Sequence, residues 1–266
     1  MCLYHSNMHK KIWTCTCPSI GMLLKGMVSL AFLFSVLVAH AQETETNGFL
    51  DRVSGQISLT QNGISLVPAF SLNDPAILFN LQFVKGRFSI EPDIRFGLDG
   101  KPWSFLFWAR YQAVQKDRFR LQLGVHPGYN FRTIEVIRNG IETDVIAVRR
   151  YLAGEIAPVY SLSDKVRVGM YYLYSRGLDD GTQNIHFLTL NSVFTNIGIT
   201  KQFYLVFSPQ VYYLKMDALD GFYGVGILTL AKRNFPLSLS SIFNQKIDSD
   251  IAGEELNWNI SLVYSF

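Results

Sequence analysis

Apolar and polar residues alternate along most of this chain. From Phe119 to Phe131 the odd positions are Phe119, Leu121, Leu123, Val125, Pro127, Tyr129 and Phe131. The even positions are Arg118, Arg120, Gln122, Gly124, His126, Gly128, Asn130 and Arg132. A helix advances about 100° per residue and would mix the two sets, so this is a strand with one apolar face. Leu256–Phe266 repeats the pattern, with Leu256, Trp258, Ile260, Leu262, Tyr264 and Phe266 against Asn257, Asn259, Ser261 and Ser265. Similar patterning predicts strands at Ile77–Val84, Phe88–Leu98, Trp103–Val114, Arg149–Leu162, Val166–Tyr174, Ile185–Phe194, Phe203–Tyr213, Phe222–Ala231 and Leu237–Phe243. Ser54–Phe70 reads as one interrupted first strand, broken at Asn62-Gly63. Turns fall at Lys85-Gly86 and Asp99-Gly100-Lys101-Pro102, where Gly supplies an unusual φ and Pro fixes one. Asn139-Gly140 tips a long excursion, and Arg176–Asn184 is a loop. The reading gives about twelve strands, with ten and fourteen as the alternatives, and an even count suits a single-chain barrel.

The polar face carries Glu91, Asp93, Arg95, Arg110, Arg120, His126 and Glu155 in mid-strand. Charges facing hydrocarbon cost roughly 2–4 kcal/mol each near the bilayer centre. They fit a polar lumen, with the Phe, Leu, Ile and Tyr face turned to lipid. The expected fold is therefore an all-β transmembrane antiparallel up-and-down β-barrel over 53–266. A secreted soluble sandwich is the alternative, and it would turn the apolar face inward.

Residues 1–41 read as a signal peptide. Lys25 precedes the apolar run Met27–Val38, and Ala39-His40-Ala41 gives an Ala-x-Ala site. Twelve residues make about 18 Å of helix, too short for a hydrocarbon core of about 30 Å. Met22 is an equally good start, and 42–52 is a short periplasmic leader. Cys2, Cys15 and Cys17 all precede the cleavage site. The exported chain would then carry no disulfide, and Cys15-Thr-Cys17 would be no redox or metal site. Removing Lys10, Lys11 and Lys25 from 24 basic residues leaves 21, equal to the 21 acidic ones. That balance removes any charge argument for nucleic-acid binding.

The alternating terminus closing on Tyr264 and Phe266 resembles the C-terminal signal of Gram-negative outer-membrane β-barrels. The resemblance implies residence in the outer membrane among its lipids, both termini in the periplasm, and assembly by the barrel assembly machinery of that membrane. Lys101-Pro-Trp-Ser-Phe-Leu-Phe-Trp108 looks like uncharacterised outer-membrane barrels of the Bacteroidetes, which implies no substrate. With periplasmic termini, the even-to-odd turns are short and basic, holding Lys85, Arg87, Lys116, Arg118, Lys165, Arg167, Lys201, Lys232 and Arg233. The opposite connections are longer and acidic, with Glu135, Glu142, Asp144, Asp179, Asp180, Asp217, Asp220, Asp248, Asp250, Glu254 and Glu255.

Catalytic patterns are sparse. Lipid A deacylases and outer-membrane phospholipases are similar barrels with a His-x-Ser pair, in which His deprotonates Ser. His126-Pro-Gly128 and His186-Phe-Leu188 both lack that Ser. Omptin-type proteases have an Asp-x-His element, absent here beside Asp179-Asp180 and His186. Two histidines sixty residues apart make no metal cluster, and no cofactor is expected. Trp103, Trp108 and Trp258, with the Tyr residues of Tyr171–Tyr174 and Tyr212-Tyr213, read as a sugar or ligand platform or, more simply for most of them, as aromatic girdles at the membrane interfaces. The expected function is a non-enzymatic narrow channel or uptake protein for a small polar solute. The alternatives are a closed barrel acting as envelope scaffold or surface binder, and an outer-membrane lipid hydrolase.

Overall fold

The computed structural model describes residues 48–138 and 141–266. The expected signal peptide, most of the leader, the three cysteines and the Asn139-Gly140 tip lie outside the described residues. Twelve strands form the fold: β1 (Arg52–Thr60), β2 (Ala76–Lys85), β3 (Phe88–Gly97), β4 (Pro102–Gln115), β5 (Phe119–Arg138), β6 (Ile141–Ser161), β7 (Val166–Gly177), β8 (Asn184–Gly198), β9 (Phe203–Met216), β10 (Leu219–Lys232), β11 (Leu237–Ser249) and β12 (Leu256–Ser265). Each pairs antiparallel with its chain neighbours, and β1 pairs with β12, so the sheet closes. Closure satisfies every strand's backbone donors and acceptors sideways, which a membrane interior requires.

The seam runs from Gln56 opposite Ser265 to Thr60 opposite Ser261. Gly55 and Phe266 extend it by exchanging two backbone hydrogen bonds of 2.9 and 3.0 Å. A Cβ on Gly55 would sit 2.8 Å from the Phe266 ring, so a larger residue there would displace that ring from the seam.

Alternation sorts the side chains. Leu123, Val125, Leu152, Leu190, Val211, Leu239, Trp258 and Ile260 are exposed on the outside. Their sequence neighbours Gly124, His126, Ala153, Thr189, Tyr212 and Asn259 are buried. A continuous apolar belt on a closed barrel has hydrocarbon as its natural solvent.

Three expectations are corrected. The first strand stops at Thr60 rather than Phe70, and 61–75 becomes a loop with one 3-10 turn at Pro68–Phe70. The excursion after Arg132 is paired strand: β5 and β6 keep register from Phe119↔Tyr160 to Arg138↔Ile141. At 20 and 21 residues they exceed the 9–11 or so that cross a bilayer, so this hairpin projects from the barrel. The odd-to-even connections are not uniformly longer, since β9 and β10 are joined by Asp217-Ala218 alone. Length on that side lies in paired strand and in the 61–75 loop.

Candidate functional site: the barrel interior

The 61–75 loop folds into the barrel. Its backbone carbonyls accept from strands on opposite sides: Tyr212 Oη on β9 donates to Leu66 O at 2.7 Å, and Trp103 Nε1 on β4 donates to Phe70 O at 2.8 Å. The Arg132 guanidinium on β5 donates to Ala69 O. Asn62 Nδ2 donates to Asn257 Oδ1 on β12 at 2.9 Å, and the Phe70 ring meets Tyr151 on β6 at 5.2 Å. One segment can touch β4, β5, β6, β9 and β12 together only by lying across the lumen. Tyr212 is four residues from the end of β9. The loop therefore reaches about 13 Å down the barrel, at 3.3 Å or so per strand residue.

The loop rests on an apolar wall. Ile185, Phe187, Tyr212, Leu214, Met216, Tyr223 and Val225, from β8, β9 and β10, form a buried cluster with Tyr151 and Ile251. Leu66, Val67, Ala69 and Phe70 of the loop pack against it. A polar lumen was expected, and this half is apolar. An inward apolar wall is stable here because a segment of the same chain covers it, burying roughly 25 cal/mol of favourable free energy per Å².

The opposite wall is polar and tightly connected. Arg110 on β4 pairs with Glu155 Oε1 on β6 at 2.7 Å, reaching across β5, and also pairs with Glu91 on β3. Glu155 is 6 % exposed and accepts further bonds from Gln122 Nε2 at 2.9 Å and Tyr171 Oη at 2.8 Å. Glu91 accepts from Ser89 Oγ at 2.6 Å and Gln82 Nε2 at 2.8 Å. The Arg110 guanidinium lies 4.2 Å from the Trp108 ring centre, and the His126 ring lies tilted against the same ring at 4.0 Å. Asp93 and Arg95 share one face of β3 and pair at 2.5 Å, with Arg95 over Trp103. Buried carboxylates keep their charge only with such partners, because desolvation costs several kcal/mol per ion.

Of the seven residues proposed to line the lumen, Glu91, Arg110 and Glu155 meet in one ion-paired cluster, and His126 lies beside it. Asp93 and Arg95 form a separate pair nearer the loop. Arg120 lies apart, exposed at the short-turn rim. Tyr264 and Phe266 stack at 5.9 Å beside the seam.

Two tryptophans assigned to the girdle are interior. Trp103 is the extra residue of a β-bulge, because Arg95 pairs with Ser104 while Phe96 pairs with Pro102. The bulge turns Trp103 inward, to 2 % exposure. Trp108 is in phase with Arg110, two residues on, so the alternation itself marked it as inward. Trp258 remains outside.

A concavity lies at each end of the polar wall. A vestibule of about 980 Å³ lies at the long-hairpin end, bounded by the loop, Asp99, Lys101, Trp103, Asn130 and Arg132. A cleft of about 450 Å³ lies at the short-turn end, bounded by Arg87, Gln115, Lys116, Asp117 and Arg120. Between them stand the Gln112–Gln122 pair at 2.6 Å and the Arg110 cluster.

Both histidines lie against aromatic rings. His126 is sealed against Trp108, and its Nδ1 has no hydrogen-bond partner among the described residues. His186 Nδ1 is 2.9 Å from Tyr172 Oη. No group of three His, Cys, Asp or Glu able to hold a metal occurs among the described residues. The acidic residues of the odd-to-even connections are partly occupied. Asp179 binds Arg150 at 2.6 Å, Asp217 caps the Gln183 and Asn184 N–H groups, and Asp220 accepts from Tyr213.

No family model and no curated protein matches the chain. Solved structures do. The chain is similar to an outer membrane channel from Pseudomonas putida F1, at 10% identity and TM-score 0.48 over 84% of this chain and all of that one. It is similar to the KdgM porin, at 10% identity and TM-score 0.47 over 80% of this chain and 99% of that one. It is similar to the NanC porin, at 9% identity and TM-score 0.45 over 81% and 99%.

Proposed function

We propose that this chain is a non-enzymatic outer-membrane channel with both termini in the periplasm, passing a small polar solute along one wall of a loop-constricted barrel. The observation that carries this reading is the polar, ion-paired wall with a concavity at each end. Solute would enter at the vestibule beside Lys101 and Arg132, skirt the infolded loop, and pass Asp93–Arg95 and the Arg110 cluster. It would leave past Gln112, Gln122 and Arg120. Both signs of charge line that route, which suits hydrogen-bonding solutes over apolar ones. Twelve strands lie between the filled eight-stranded barrel and the open channels of sixteen or more, and the loop narrows this one further. Outer-membrane lipid would meet the apolar belt, and the barrel assembly machinery would recognise the strand ending at Tyr264 and Phe266.

Liposome swelling tests the reading. Vesicles holding the refolded chain are expected to admit small neutral amino acids or sugars while excluding larger oligosaccharides. No swelling with any solute would favour the second reading, a closed scaffold. One observation supports that second reading: Arg110 bridges β3 and β6, and the loop crosses the lumen from β4 to β9. Release of fatty acid from envelope lipid would favour a hydrolase and defeat both.

A further inference from the structure

Cations crowd one corner of the short-turn rim without acids to match. Arg87 lies in the β2–β3 turn, and its carbonyl accepts from Gln112 N at 2.8 Å. Lys116 lies in the β4–β5 turn, closed by its own N–H on Phe119 O at 2.9 Å. Arg120 stands opposite Gln115 in register. These adjacent turns bring the three side chains around the single cleft of about 450 Å³. None of the three forms an ion pair among the described residues. On the same rim Lys85 does hold an acid, Asp51, at 2.7 Å, and Arg233 donates to Asn196 at 2.6 Å.

Three cations against Asp117 leave two uncompensated positive charges on one small concavity. A phosphate monoester carries about −1.5 to −2 near neutral pH. One arginine satisfies the two oxygens of a carboxylate, whereas a phosphate offers oxygens to two guanidinium forks and an ammonium at once. We propose that the Arg87–Lys116–Arg120 cleft binds a phosphate-bearing anion, supplied either by a soluble phosphate or by a lipid headgroup in the leaflet at that rim. The site does not depend on whether the lumen conducts.

The test uses the full barrel in two arms. In the first, inorganic phosphate is titrated into detergent-refolded protein by calorimetry. In the second, protein from phosphatidylcholine vesicles doped with phosphatidic acid, a phosphate monoester, is analysed by native mass spectrometry for retained anionic lipid. The triple variant Arg87→Gln/Lys116→Gln/Arg120→Gln is compared with the charge-matched Lys165→Gln/Lys201→Gln/Lys232→Gln. Binding in at least one arm is expected, falling about tenfold or more in the cleft variant and less than about twofold in the control. The arm that binds identifies the source. Single Arg87→Gln and Arg120→Gln variants, each still heat-modifiable on gels, are expected to show part of the loss if the triple variant does not fold. Absence of binding in both arms, unchanged affinity in the cleft variants, or equal loss in the control overturns the proposal.

Discussion

Arg110 is the residue on which the polar wall depends. It joins two carboxylates from strands that do not touch each other and stacks on Trp108. Removing it leaves Glu91 and Glu155 facing each other with only neutral donors. Arg110→Ala is expected to destabilise the barrel by about 3–5 kcal/mol, the range for breaking a buried pair from one side. Urea unfolding of the reconstituted protein measures this, and adding Glu91→Gln with Glu155→Gln should recover part of the loss. These three residues were legible in the sequence because each is a charge on the polar side of an alternating strand. Trp103 was not legible. One bulged residue flips a side chain across the sheet, and nothing in Lys101–Ser104 marks the bulge.

At the level of elements, strand positions followed from alternation and the 61–75 loop did not. Ile64, Leu66, Val67 and Phe70 look like a strand because they are apolar. The contrary signal was Pro68 in mid-run together with Asn73-Asp74-Pro75 after it, which favours a turn-rich segment over a ladder. The interior of β8 to β10 was misread for the linked reason, since a wall covered by a loop follows the rules of a soluble core. At the long-hairpin end, the 178–183 connection is clipped to β6 by Asp179. Asp179 Oδ2 accepts from the Arg150 backbone N–H at 2.7 Å, and Oδ1 accepts from its guanidinium at 2.6 Å. The Arg150 side chain, and then its backbone N–H, hold the Asp179 carboxyl below the ordinary carboxylate range. A lowered folded value means this clip is in place above the ordinary pKa of about 4 and is lost as pH falls through the lowered one. Amide exchange at Arg150, corrected for its intrinsic pH dependence, should therefore stay protected at neutral pH and lose protection in acid. Asp179→Asn should weaken that protection already at neutral pH, and equal protection in both proteins at both pH values would rule the clip out.

For the whole molecule, the antiparallel order, the closure of β1 on β12 and the outward apolar belt were legible because each repeats in every strand. How much of the lumen is open was not, because it depends on one irregular loop that strand periodicity does not describe. The central claim is that a transmembrane barrel conducts along its polar wall and that the infolded loop sets the bore. Single-channel recording in planar bilayers, comparing the wild type with a variant whose residues 64–71 are replaced by a short Gly-Ser turn, tests it most directly. The expected result is small discrete steps in the wild type and steps several-fold larger in the variant, with both proteins heat-modifiable on gels. Silence from both folded proteins, or equal conductance in the two, would contradict the account.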